Sequence, residues 1–147
     1  MVKEKNTMPK QITKAYLKEL VYQVNGAAIE VYKALGPGLL ESVYHQCMKR
    51  ELTPRNISFS SELKVPIDYK GETVEAELRC DFFVEKVLVV ELKAIDIVKA
   101  IHEAQLFSYM NLLKAPEGIL INFNVKNIFK EGQKTYVNEQ YRQLPEY

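Results

Sequence analysis

What this chain has little of narrows it first. Cysteine occurs only twice, as Cys47 and Cys80, in unlike segments and with no CxxC or Cys/His spacing, so no zinc site is indicated. The two read as free, buried thiols of a reducing cytoplasm. An excess of either charge is missing too, since the formal net charge is +1. That excludes a protein that coats nucleic acid by bulk electrostatics, and any such contact has to come from a local basic face. No apolar run approaches the roughly 20 residues that a membrane-spanning helix needs. The opening stretch MVKEKNTMPK has no apolar core of the kind a signal peptide carries. Internal repeats, low-complexity tracts and Gly/Ser linkers are absent, and no pattern resembles a helix-turn-helix or zinc finger.

What is present describes one ordinary domain. Its 147 residues, 47% hydrophobic and 27% charged, are enough to bury roughly two-thirds of the unfolded surface. Residues 1–12 read as a loose polar tail and 13–147 as a single folded unit. From Thr13, a plausible cap, Tyr16, Leu17, Leu20, Val21, Val24, Ala27, Ala28 and Val31 recur every three to four residues, which predicts an amphipathic helix. It stops at LGPGLLESVY, where Gly36, Pro37 and Gly38 cannot prolong it. A second helix is expected over about Leu39 to Leu52.

The middle of the chain is β. Phe59 to Asp68 and Thr73 to Val84 predict an antiparallel hairpin turning near Gly71. A third strand, Val87 to Ala94, is apolar on both faces apart from its charges, as a central strand covered on both sides would be. A helix over about Val98 to Leu113, a short buried strand at GILINFN and a hairpin in NIFKEGQKTYVN with Gly132 at its turn complete the order. The expected fold is an α/β mixture with one mixed sheet between helices.

The third strand poses the functional question. In VLVVELKAI, Glu91 and Lys93 share a face with Val89, while Val90 and Leu92 share the other. A buried carboxylate has to be paired, protonated or bound to a metal. Lys93 could satisfy Glu91 as a plain ion pair, but Asp81 in LRCDFFVE adds a second acid. A two-residue turn at Glu85 and Lys86 would put Asp81 and Glu91 on opposite faces. A three-residue loop at Glu85 to Val87, or a bulge, pairs them on one face, and that register is expected. Two close carboxylates repel unless a cation sits between them or one takes a proton. Hard oxygen ligands of this kind suit Mg²⁺ or Mn²⁺. A neighbouring ammonium can orient an attacking water or offset charge on a phosphate, so Asp, then Glu-x-Lys, is a kit for phosphodiester hydrolysis.

Asp81, nine residues and then Glu91-Leu92-Lys93 resembles the signature of the PD-(D/E)XK nuclease superfamily, and the order of elements resembles its restriction-endonuclease-like core. Gly38-x-x-Glu41-x-x-Tyr44 resembles the motif of its GxxExxY branch, as do HEAQLFSYM and GILINFN, so the likeness spans roughly Leu20 to Val137. Cys80 stands where proline often precedes the aspartate.

The resemblance implies a nuclease that cuts DNA or RNA with Mg²⁺, for which Mn²⁺ substitutes. Asp81 and Glu91 would be metal ligands, with the Leu92 carbonyl and Glu41 as further ones and Lys93 as the catalytic lysine. Gln105 would reach the water, the lysine or the phosphate, although a glutamine on a helix surface reads equally well. Glu41 otherwise reads as a solvated acid in a first helical turn. Arg79, His102 and Tyr44 are candidate nucleic-acid contacts. For them an ion pair, a polar cover residue and a core tyrosine are the plainer readings. His45 reads as a surface residue. A homodimer is a further expectation, because one small chain reaches few bases. The alternative function is an inactive nuclease-like module that binds nucleic acid or a protein partner.

Overall fold

The computed structural model describes residues 11–147, so the first ten residues of the expected tail lie outside the described residues. Ile12, assigned to that tail, already packs against the core. Helix α1 (Lys14–Leu35) starts where Thr13 Oγ1 accepts the Tyr16 N–H at 3.0 Å, capping a donor that the first helical turn leaves without a partner. Its buried stripe of Leu17, Leu20, Val24, Ala27, Ala28 and Val31 has the expected 3.6-residue spacing. Gly36, at φ 67°, ends it. Helix α2 (Glu41–Leu52) follows, and both helices lie on one face of a five-stranded sheet.

That sheet has the order β1 (Phe59–Lys64), β4 (Arg79–Val84), β5 (Leu88–Lys93), β6 (Glu117–Asn122), β7 (Gln133–Val137). All neighbours are antiparallel except β5 and β6, which are parallel and joined through helix α3 (Ala100–Leu112) on the opposite face. Phe82, Val84, Leu88, Val90, Leu92, Ile119 and Ile121 meet α1 and α2. Val89, Cys80 and Leu120 meet Leu106, Tyr109 and Met110 of α3. Helices on both faces explain why β5 and β6 are buried almost throughout. Gly118 lets α3 lie close, because a Cβ there would sit 2.8 Å from Met110 Sδ and 2.9 Å from Leu106 Cδ1. Among the described residues no helix is long and apolar enough to cross a membrane.

Two expectations need correction. The first hairpin is not one continuous pair. β1 pairs with β4, while the short β2 (Ile67–Tyr69) and β3 (Glu72–Val74) form a separate exposed ribbon. Pro66, with no N–H to donate, interrupts the first strand between them. The C-terminal hairpin is absent as such. Residues Ile128–Gly132 form a π-helical turn and a single strand, β7, closes antiparallel on β6. The glycine serves a close approach there, since a Cβ on Gly132 would lie 2.6 Å from the Asn122 carbonyl oxygen. Finally, a four-residue helix α4 (Glu139–Arg142) ends the fold. The chain then returns to its first helix, where the Lys14 and Ala15 N–H groups donate to the Pro145 and Glu146 carbonyls at 2.9 Å each.

Candidate active site

The three-residue loop Glu85–Val87 sets the β4–β5 register through Val84↔Leu88, Phe83↔Val89 and Phe82↔Val90. One step further lies Asp81 opposite Glu91, and there the ladder stops. The two acids replace it with bonds of their own. The Asp81 N–H donates to Glu91 Oε2 at 2.7 Å, and the Leu92 N–H donates to Asp81 Oδ2 at 2.7 Å. The β1–β4 ladder breaks at the same height, between Ser61↔Phe82 and Leu63↔Cys80, where Glu62 takes a φ of 52°. Cys80 accordingly packs on the α3 side and Phe82 on the α1–α2 side. Simple alternation would have put both on one face. The sheet therefore opens at Asp81, and a carboxylate holds the gap.

Burial decides the electrostatics. Glu91 is only 5% exposed. Burial first, and the adjacent Asp81 second, push its carboxyl up to about 8. Asp81 is also raised by burial, against the opposing pull of the Leu92 N–H, His45 and Lys93. Glu41, in the first turn of α2, is raised by burial and then by Asp81, and Lys93 opposes the shift. Three acids from two strands and a helix thus share one field, with Lys93 at its edge. Lys93 Nζ donates to Gln105 Oε1 of α3 at 3.5 Å. The end of β5 is pinned by buried Asn122. Its amide bonds both the N–H and the C=O of Ile95, at 3.1 and 2.9 Å, while Lys93 O accepts the Phe123 N–H at 2.9 Å.

The chain's sequence matches a profile of the PD-(D/E)XK nuclease superfamily over residues 18–135. It belongs to that superfamily. Comparison with curated proteins matches none of them, and comparison with solved structures matches none either. The mixed five-stranded sheet between helices is the restriction-endonuclease-like arrangement of PD-(D/E)XK proteins, and the open end of β4–β5 is where Asp81, Glu91 and Lys93 stand.

The other candidate residues are less central to this cluster. Tyr44 is wholly buried, stacked on Phe123 at 4.4 Å, so it is a core tyrosine and not a nucleic-acid contact. Its hydroxyl donates to the Gly36 carbonyl at 2.6 Å and accepts the Leu39 N–H at 3.2 Å, tying the α1–α2 turn that delivers Glu41. His102 caps α3, its Nδ1 accepting the Lys99 N–H at 2.9 Å. Arg79 is exposed, 3.8 Å from Glu77, and is held by neither site acid.

One neighbour was misread from sequence. His45, expected at the surface, is 6% exposed and stacks on Phe82 at 4.4 Å. Its Nε2 lies 2.8 Å from Ser61 Oγ and its Nδ1 3.7 Å from Asp81 Oδ1. Its position four residues after Glu41, hence on the same helix face, was the available signal.

The donor set fits a hard divalent cation in kind: buried Glu91, half-buried Asp81 and Glu41 at the mouth, all raised toward protonation. Among the described residues no group of three or more His, Cys, Asp or Glu side chains is arranged to hold an ion.

Proposed function

We propose that the chain is a metal-dependent nuclease of the GxxExxY branch that hydrolyses phosphodiester bonds in DNA or RNA, with residues 13–147 as its single nuclease-like unit. The observation that carries this reading is the cluster of Asp81, Glu91 and Glu41, all raised toward protonation, beside Lys93 at the opened end of β4–β5. Such a cluster costs stability that a purely structural site has no reason to bear. Asp81 and Glu91 would hold Mg²⁺, or Mn²⁺ in its place, with the Leu92 carbonyl and Glu41 completing the protein's share. When bound, the ion supplies charge stabilisation at the phosphate and lowers the pKa of water.

The chain's own residues do the rest. Lys93 orients the attacking water and offsets charge on the phosphate oxygens. Gln105, within 3.5 Å of Lys93 Nζ, holds that ammonium in place and can be handed to the water or the phosphate. His45 steadies Asp81 from the α2 side. Exposed Arg79 and the cap residue His102 are candidate contacts for the flanking strand. The nucleic acid is the expected partner, and a homodimer would present two sites to a duplex.

The test is cleavage of supercoiled and linear DNA, single-stranded DNA and structured RNA in Mg²⁺, Mn²⁺ or EDTA, beside Asp81→Ala and Lys93→Ala. Metal-dependent cutting lost in both variants is the expected result. No cutting of any polymer, together with no Mn²⁺ effect on melting, would overturn it in favour of an inactive binding module.

A further inference from the structure

The exposed leucines and isoleucines of this protein are not scattered. Among the described residues they are Leu39, Leu40, Ile97 and Ile101. Leu39 and Leu40 immediately precede Glu41 at the start of α2. Ile97 lies in the loop between β5 and α3, and Ile101 in the first turn of α3. Ile101 is four residues before Gln105 and shares its helix face, and Gln105 reaches Lys93. One aliphatic pair therefore stands on the α2 side of the acid cluster and the other on the α3 side.

These side chains contribute little to the fold. Leu40 holds the N-cap position of α2, where serine, threonine or aspartate would bond a free N–H, and it makes no such bond. At 74% exposed it gains little from burial either, and Ile97 and Ile101 are each 69% exposed. The backbone that presents them is tied down. The Leu39 N–H donates to the Tyr44 hydroxyl at 3.2 Å, Asn124 Nδ2 to Asp96 Oδ1 at 3.1 Å, and the Lys99 N–H to His102 Nδ1 at 2.9 Å. Apolar groups held on fixed backbone are ready for contact, because little ordering remains to be done on binding.

Position and charge say what covers them. A body that touches both pairs also lies over the acids between them, so the occupant is the substrate of that site. A duplex would bring two rows of phosphates, which call for cations. Residues 36–43 carry no lysine or arginine, and residues 94–105 carry one, Lys99, against Glu41, Asp96 and Glu103. An unpaired strand instead offers the faces of its bases. Leucine and isoleucine are among the side chains that wedge between stacked bases, and unstacking costs least where no pairing is lost.

We infer that the site takes an unpaired strand of DNA or RNA, with the bases on either side of the scissile phosphate held apart by Leu40 and Ile101. Leu39 and Ile97 extend the two contacts. The inference rests on the nuclease reading, because a phosphate at Asp81 and Glu91 is what sets the neighbouring bases against these side chains.

Fluorescence anisotropy tests it with a short labelled strand, as DNA and as RNA, each alone and annealed to its complement. The full chain carries Lys93→Ala, with Mg²⁺ present, so that bound strands stay whole. The unpaired strand should bind tighter than the duplex by roughly tenfold or more, and the DNA and RNA arms identify the sugar. Leu40→Ser and Ile101→Ala, each added to that background, should weaken the unpaired strand by roughly tenfold and leave the duplex unchanged. Both positions are exposed, and a serine at the N-cap should raise the melting temperature, so lost binding is not lost folding. Equal or tighter binding of the duplex, as a dimer straddling two strands would show, would overturn the inference and leave the nuclease reading standing. Unchanged affinity in both variants would overturn it as well, assigning these side chains to a protein that seals the site, as would no binding of any strand by either Lys93→Ala or the parent. An unpaired strand bound as expected but left uncut by the parent in Mg²⁺ and Mn²⁺ would support the strand preference and sink the nuclease reading alone.

Discussion

Glu91→Gln separates the charge of the proposed metal site from its shape. The glutamine oxygen can still accept the Asp81 N–H that Glu91 Oε2 takes at 2.7 Å, so the change removes a negative charge and keeps an acceptor. In the parent, burial and Asp81 move the carboxyl from 4.5 up to about 8. For an acid raised in the folded state, both states are protonated below the unfolded value and there is no penalty. The penalty grows as pH rises through the interval and is complete above about 8. That interval sets a ceiling of about 5 kcal/mol. Water at the mouth of the site, and the freedom of Asp81 to take the proton instead, reduce the gain to about 1–3 kcal/mol.

In a domain of this size each kcal/mol moves Tm by roughly 2–4 °C. Differential scanning fluorimetry in EDTA should therefore show Glu91→Gln melting above the parent by roughly 3–10 °C at pH 9, with only a small fraction of that difference at pH 5. Mn²⁺ should reverse the order, because only the parent gains the mass-action stabilisation of a filled site. A variant that melts below the parent at pH 9 in EDTA would refute the reasoning, as would the same offset at both pH values.

Other consequences are simpler to score. His45→Phe keeps a ring on Phe82 but removes the partner of Ser61 and Asp81. Cleavage should fall roughly 10- to 100-fold, the range typical of residues that orient a ligand from behind, with circular dichroism unchanged. Tyr44→Phe strands the Gly36 carbonyl and the Leu39 N–H and should cost about 1–2 kcal/mol in chemical denaturation. An unchanged denaturation midpoint would mean water replaces the hydroxyl. Gly118→Ala drives a methyl into Met110 and Leu106 and should cost about 1–3 kcal/mol. Cleavage measured well below its Tm should fall as well, since α3 carries Gln105.

Much of this was legible because buried charge breaks a pattern that apolar residues would otherwise complete. Glu91 and Lys93 stood out within Val87 to Ile95 for that reason, and a three-residue loop was the register that brings Asp81 beside Glu91. That loop is observed. The capped start of α1 and its break at Gly36 were local signals, and local signals survive tertiary context best. His45 was missed because a histidine one residue from a core tyrosine gives no sign of its own partners. Ser61 and Asp81 are 16 and 36 positions away and meet it only through the fold. Gly132 was read as a turn because sequence does not distinguish a glycine needed for positive φ from one needed for close approach.

The exchanged bonds between Asp81 and Glu91 turn the site into its own reporter. Ordinary strand pairing would tie the Asp81 and Leu92 amides to carbonyls, which are indifferent to pH and to ions. Here each amide proton rests on a carboxylate oxygen instead. Their resonances in a nitrogen-edited NMR spectrum should therefore track the charge of the acids directly, moving as protons leave and moving again as a diamagnetic ion such as Mg²⁺ enters. Occupancy of the centre could then be followed from the backbone, with no probe attached and no substrate turned over.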